Sequence, residues 1–291
     1  QPRSRGLGDV YKRQGLGLAS FTMFREGLFS AHPARPLRVD ASRLQALNLG
    51  DLRRGFQVGP SNPLVGLEGR MALLHRLGEE LADRHGDQPH NQRPSVIADR
   101  FLDTVEAGRP LLASMMLGEV LRELGGIWPE RQGAVPGCGD CWFHPQGIEL
   151  EGQGHAVAFH KLSQWLTYSL IEPLQWAGFE VQGIDGLTGL PEYRNGGLLL
   201  DFGVLMLKDE ADWKRPHDVS SPLVVEWRAL TVALLDEIGH RMRARLGLSA
   251  AELPLAKVLE GGTWAAGRRI ARERRADGGP PLTIISDGTV F

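Results

Sequence analysis

Cysteine, lysine, long apolar runs and an excess of either charge are all scarce in this sequence, and each shortage excludes something. Two cysteines in 291 residues cannot build a disulfide framework, which fits a reducing, cytoplasmic setting. No apolar run reaches the roughly 18 residues that span a bilayer, and no charged start leads into an apolar signal segment, so the expected class is soluble with no membrane partner. Basic and acidic residues number 33 and 35, for a net charge of −2, so the basic excess of a nucleic-acid binder is missing. Only five of the basic residues are lysine, an arginine bias that points to a GC-rich bacterial genome and discounts clusters such as RRIARERR, Arg268 to Arg275. That cluster reads as the solvated, positive end of a C-terminal helix. No GxxxxGK[ST] loop, no strand-borne GxGxxG and no GxSxG elbow occurs, which leaves nucleotide triphosphates, dinucleotides and a serine nucleophile without support.

What is present is enough apolar residue, 42%, for a sizeable core. The opening SRGLGDVYKRQ ends in six residues that back-translate to a transposon mosaic end, so residues 1–14 are expected to be a translated sequencing-adapter scar. Ser4 to Gln14 carries a net +2, which leaves about −4 for the rest. The expectation is one mainly helical domain over 15–291, with part of its N-terminal region missing.

Phe21, Phe24, Leu28 and Phe29 predict a short amphipathic helix over 19–29, and Ala41 to Phe56 predicts another with Asp40 as N-cap. Leu67, Met71, Leu74, Leu77 and Leu81 form a clear 3.6-residue stripe over Leu67 to Arg84. Further helices are predicted over Val96 to Glu106, Leu111 to Leu124, Phe159 to Gly178, Pro222 to Leu246 and Leu255 to Ala276. The Gly- and Pro-rich stretch from Gly125 to Gly154 predicts short strands in a small hairpin, and PPLTIISDGTVF a terminal strand. Between them, Gly183 to Asp209 is a glycine-studded loop leading to an apolar run that could be strand or helix. The fold class is therefore mainly α with a few short strands.

Three groups of residues could carry chemistry. Cys138, Cys141 and His144 have ligand types that suit Zn²⁺, with His155 or His160 as a fourth, but a single cramped cluster argues against a structural zinc site. Asp140, Trp142 and His144 share that segment. In the second half Glu172, Asp185, Glu192, Asp201 and Glu226 interleave with Lys161, Tyr193, Arg194 and Arg228. Carboxylates beside glycine turns serve as general bases, and nearby cations hold phosphate; structural ion pairs would look the same. In Phe159 to Gly178 the helical period sets Leu162, Trp165, Leu166, Ser169 and Leu170 towards a core. Lys161, Gln164 and Tyr168 then share a neighbouring face at i, i+3 and i+7.

Five blocks, NPLVGLEGR (Asn62 to Arg70), FHKLSQWLTYSLIEP (Phe159 to Pro173), GLTGLPEYRNGG (Gly186 to Gly197), VEWRALTVALLDEIG (Val225 to Gly239) and LEGGTWAAGRRIA (Leu259 to Ala271), resemble the uracil catabolism protein 4 family. That family belongs to a route that breaks uracil down with release of urea. The same order of blocks is more distantly similar to the queuosine salvage proteins, which hydrolyse the N-glycosidic bond of a nucleoside 5′-phosphate. This second resemblance implies a helical, DNA-glycosylase-like architecture. It also implies a nucleotide-derived small-molecule substrate and hydrolysis of a ribosylurea or its 5′-phosphate, with neither metal nor cofactor needed. Carried over, Glu192 is the first candidate to stabilise the ribosyl cation and orient water, where the queuosine proteins have Asp, and Asp201 is the second. Lys161, Tyr193, Arg194, Glu226, Arg228, His160 and Gln164 are the candidates to bind substrate or phosphate. The competing reading is a non-catalytic binding or scaffold protein of the same pathway.

Overall fold

A computed structural model describes residues 8–64, 66–86, 88 and 90–285, with side chains from residue 15 onward. Most of the adapter-like stretch and the end of the predicted terminal strand therefore lie outside the described residues or side chains. The chain is mainly α with a few short strands. Where the sequence shows no linker, the structure groups the residues into two compact units. One runs to Glu106 and includes Leu121–Pro129; the other takes Ala107–Val120 and the chain from Glu130. Because the boundary falls partly inside a continuous helix, no linker composition marks it.

The first unit contains α1 (Gly8–Arg25), α2 (Ala41–Gln45), α3 (Leu49–Gly55), α4 (Leu67–Arg84) and α5 (Val96–Glu106). The helix expected over Ala41 to Phe56 is two helices, because Asn48 stops one and starts the next. Its side chain accepts from the Asp51 amide at 3.0 Å while the Asp51 carboxylate accepts from the Asn48 amide at 3.4 Å, a capping box. Asp40 stands at the N-cap of α2, but its carboxylate accepts from the Ala31 amide and from Arg38 instead. The stripe of α4 closes the core: Leu67 and Leu81 are buried, and Met71, Leu74 and Leu77 pack on Met23, Phe29, Leu44, Leu47 and Leu52. Gly78 lets α2 approach, since a Cβ there would stand 2.7 Å from the Ala41 carbonyl oxygen. At the C-terminal end of α4 lies a polar cleft of about 510 Å³. His85 Nε2 lies 2.9 Å from the buried Glu123 Oε2 there, and none of the residues expected to bind substrate lines the cleft.

The second unit opens with β1 (Leu111–Leu112) and α6 (Ala113–Leu124), whose last turn belongs to the first unit. β2 (Cys141–Leu150) and β3 (Gly154–Ala158) form the expected hairpin, antiparallel, with the register shifting between Phe143 and Ile148. Then come α7 (Lys161–Trp176), β4 (Val181–Gln182), α8 (Tyr193–Asp201), β5 (His217–Asp218) and α9 (Pro222–Leu246). The short α10 (Leu255–Lys257), a π-helical turn over Val258–Trp264, α11 (Ala265–Arg274) and β6 (Ile284–Ile285) complete it. β1 pairs with β4 and β5 with β6, both parallel. The ambiguous apolar run after Glu192 is helix, not strand: Leu199 and Leu200 bury one side of α8 in the unit's interior. No described helix is long and apolar enough to cross a membrane.

Candidate functional site

Asp140, just before β2, is the hub of the second unit. Arg228 of α9 approaches it with both terminal nitrogens, Nη1 to Oδ1 at 2.8 Å and Nη2 to Oδ2 at 2.7 Å. Trp142 donates its indole N–H to Oδ1 at 2.7 Å, and the Lys161 amide donates to Oδ2 at 3.1 Å. Burial works to raise the carboxyl's pKa, but the Arg228 charge and these hydrogen bonds outweigh it and hold Asp140 at about 2. Arg228, 1% exposed, lies 4.1 Å over the Phe159 ring, so the pair is enclosed by aromatic surface.

This ion pair sets the start of α7. His160, the N-cap, adopts the left-handed conformation at φ 47° without glycine's freedom, and its amide is held by the Asp140 carbonyl at 3.2 Å. The His160 side chain gives α7 no cap; the Asp140 carboxylate caps Lys161 from another segment. The turn carries Lys161 inward to 6% exposure. Burial pushes the His160 imidazole below its usual pKa, against the opposing pull of Asp140, which favours a neutral ring.

Along α7 the expected core face holds only in part, with Leu162 and Leu170 half-buried. Lys161, Ser163, Gln164 and Thr167 are buried, while Trp165, Leu166 and Ser169, assigned to the core from periodicity, are exposed. The polar face buries because its partners are in place. Gln164 and Thr188 make a reciprocal clamp: the Gln164 amide nitrogen donates to Thr188 Oγ1 at 2.6 Å and the Thr188 amide donates to Gln164 Oε1 at 2.9 Å. One turn further, the Tyr168 hydroxyl donates to the Thr188 carbonyl at 3.1 Å. Burial, then the charges of Asp185 and Asp236, raise the phenol's pKa, so it stays a donor.

Thr188 lies four residues before Glu192, and the intervening loop delivers Glu192 to the head of α8. There Glu192 Oε1 accepts from the Asn195 amide at 3.0 Å. The Asn195 side chain ties the loop again, donating to the Leu190 carbonyl at 3.1 Å and accepting from Thr263 of the π-helical turn at 2.9 Å. A π-helical turn inside an α-helical run is uncommon and recurs at functional sites. Arg194, 9% exposed, lies 4.7 Å over the Tyr193 ring and donates to the Gly278 carbonyl at 3.3 Å. Trp227, between Glu226 and Arg228, donates to the Gly196 carbonyl at 3.0 Å and so joins α9 to α8. Glu226 itself is half-buried.

Three of the expected site residues, the second catalytic candidate Asp201 and the binding candidates Arg228 and Gln164, direct paired side-chain atoms at partners inside the protein. Asp201, at the end of α8, forms a two-pronged pair with Arg275 at 2.7 and 2.5 Å. Arg228 directs both terminal nitrogens at Asp140, and Gln164 uses both ends of its amide on Thr188. The Lys161 amide joins the Asp140 pair, Arg194 lies over the neighbouring Tyr193 ring, and Glu192 belongs to the hydrogen bonds that run from Gln164 through the loop to α8, a framework of its own. Thr188, Asn195 and Thr263 carry that framework without having been singled out from the sequence. Only the compatible reach of neutral polar side chains could have flagged them, and that signal needs the fold.

Among the described residues no three His, Cys, Asp or Glu side chains gather closely enough to hold a metal ion. Cys138 is exposed and Cys141 buried, and His144 Nδ1 accepts from the Gln146 amide at 3.2 Å. Burial, then Cys138 and Asp140, push the Cys141 thiol up to about 11, so it is expected to stay protonated and unreactive at neutral pH. Alkylation of the native chain should therefore label Cys138 alone, with Cys141 labelled only after unfolding, as mass spectrometry would read.

The profile of the family described as "Protein of unknown function (DUF1688)" matches residues 3–291. The chain belongs to this family. Two relatives place the DUF1688 chain among named proteins. Protein urg3 of Schizosaccharomyces pombe is 40% identical over 300 residues, covering 98% of this chain and 72% of the relative. Uracil catabolism protein 4 of Lachancea kluyveri is 35% identical over 308 residues, covering 96% and 69%. Both are fungal, whereas the arginine bias had pointed to a bacterial source.

In this DUF1688 chain the closest backbone approach at the site is α11 on α8: a Cβ on Gly267 would stand 2.2 Å from the Arg194 carbonyl oxygen. Gly267→Ala is accordingly expected to force the two helices apart, costing about 1–3 kcal/mol in chemical denaturation. An unchanged stability would mean that α8 can shift freely.

Proposed function

We propose that this protein acts in uracil catabolism and hydrolyses the N-glycosidic bond of a ribosylurea or its 5′-phosphate, releasing urea. The pathway rests on the relative named Uracil catabolism protein 4. The reaction rests on the resemblance to the queuosine hydrolases together with one observation. Glu192 is held at a helix head by the Asn195 amide, in a loop fastened at Thr188 by the helix that begins with the buried Lys161.

Breaking the C1′–N bond develops positive charge on the ribose, and a carboxylate near C1′ lowers that barrier. In this reading water adds to C1′ and yields its proton to Glu192, while the urea nitrogen departs with the bond's electron pair and takes up a proton. One water is consumed, and urea and ribose or ribose phosphate result. Lys161 and Arg194 supply the cationic donors for a 5′-phosphate, with His160 and Tyr193 next to them in the chain and Glu226 as a further binding candidate. Asp201, neutralised by Arg275, is left a structural role, and no metal enters the scheme.

The test is incubation of the protein with ribosylurea 5′-phosphate and with unphosphorylated ribosylurea, assaying urea. Urea release from either supports the hydrolase. Saturable binding of either compound without urea release would favour the non-catalytic binding protein.

A further inference from the structure

The loop that carries Glu192 is fastened unusually often for a surface connection between a short turn and a helix. Asp185, at its start, meets Arg243 of α9 at 3.3 Å, and Arg243 is itself anchored on the Leu253 carbonyl at 2.8 Å. Thr188 is engaged at its amide, its hydroxyl and its carbonyl, by Gln164 and Tyr168. Leu190 is engaged at its carbonyl by Asn195, whose amide oxygen is in turn held by Thr263. These contacts come from three helices, α7, α8 and α9, with the π-helical turn behind Asn195, and converge on eight residues of chain, from Asp185 to Glu192.

A connection that only joined two elements would need none of these fastenings, and loops that open and close over ligands carry few hydrogen bonds to the scaffold. The reciprocal Gln164–Thr188 clamp is the strongest of them. One of its hydrogen bonds holds the Thr188 backbone amide and the other the Thr188 hydroxyl, so backbone and side chain of one residue are fixed together, and Gln164 is 6% exposed, so water competes little for either. Preorganised charge is what a developing cation rewards, because a carboxylate already in place needs no reorganisation as the bond breaks.

We infer that Gln164 and Thr188 are positioning residues for the Glu192 carboxylate, and that Gln164 acts through this clamp and not as a substrate ligand. The inference rests on the hydrolase reading for its kinetic consequence, but the clamp itself can be tested without turnover. Gln164 uses both ends of its amide on Thr188, so its contribution to a transition state is geometric. Its loss lets the loop and the head of α8 drift, and misplacement by about 1 Å is enough to cost on the order of 100-fold in rate.

The experiment joins steady-state kinetics of urea release to amide hydrogen exchange on the full chain, for Gln164→Ala, Thr188→Val and Thr188→Ser. Gln164→Ala and Thr188→Val are expected to lower kcat about 10- to 100-fold with KM within about twofold, and to speed exchange of the Asn195 amide that caps on Glu192. Thr188→Ser retains all three polar groups and is expected to behave as the unmodified chain does. A rise in KM at unchanged kcat would overturn the inference by making Gln164 a substrate ligand. Unchanged exchange at Asn195 in both disruptive variants would overturn it as well. If the unmodified chain releases no urea, the hydrolase reading fails, and the exchange data alone decide whether the clamp holds Glu192.

Discussion

Asp140→Asn is expected to cost about 3–5 kcal/mol of unfolding free energy at neutral pH. The change removes one charge and nothing else of consequence in shape. It leaves Arg228, 1% exposed, without the carboxylate that faces both of its terminal nitrogens. A carboxamide can accept from Trp142 or from Lys161, but it turns an N–H₂ towards at least one existing donor. The equivalent change at Asp201 should cost less, because its partner Arg275 retains 25% exposure and can be rehydrated.

Acid titration probes the same pair more gently. The Asp140 pKa is depressed to about 2 from 3.8, so its stabilisation is complete above the unfolded value and disappears as pH falls from about 4 towards 2. The amount at stake is about 2 kcal/mol, smaller than for the Asn variant, because a protonated carboxyl still occupies its site and still accepts hydrogen bonds. Denaturation midpoints of the variant at pH 7, and of the unmodified chain across this acid range, measure both. A loss under about 1 kcal/mol for Asp140→Asn would show that Arg228 finds water or another acceptor. Faster exchange of the Lys161 amide in the variant would locate the damage at the start of α7, where the missing carboxylate acted as cap.

Glu192→Gln is expected to lower kcat for urea release by about 10²- to 10⁴-fold while changing stability by less than about 1 kcal/mol. The contrast between these two effects is what makes the change informative. Glutamine has the same length and an amide oxygen that can still accept from the Asn195 amide, so the head of α8 should keep its cap. What disappears is the negative charge that the proposed chemistry needs beside C1′. Glu192→Asp retains charge and shortens the reach by about one carbon–carbon bond, so it should lie between the two. A Gln variant as active as the unmodified chain would remove Glu192 from the chemistry even if urea release were established. A Gln variant that unfolded would show that the carboxylate is structural.

Much of this was legible in the one-dimensional pattern. The stripe of α4 and the bounds of α5 and α9 follow from helical period and breakers, because a helix that must bury one face announces it every three to four residues. The glycines and prolines before β2 announced a hairpin for the same local reason. Asn48 was the miss of that kind: a polar residue with an acid three positions on is a helix start, and it splits the helix expected over 41–56. Glu192, Lys161 and Arg194 stood out through charge and resemblance.

Sequence alone thus determined the helical class, the family-bearing blocks, and the fact that Phe159 to Gly178 has a polar and an apolar face. Which of those faces is buried was decided only in three dimensions. Periodicity records where residues sit around a helix and is silent about what waits beside them. Gln164 could leave water because Thr188, 24 residues ahead, satisfies its amide, and the Lys161 backbone amide is capped by Asp140, 21 residues behind. Asp140 in turn could be enclosed because Arg228 arrives from 88 residues away. A buried polar group is stable only when its partner is present, and distant partners are brought together by the tertiary fold.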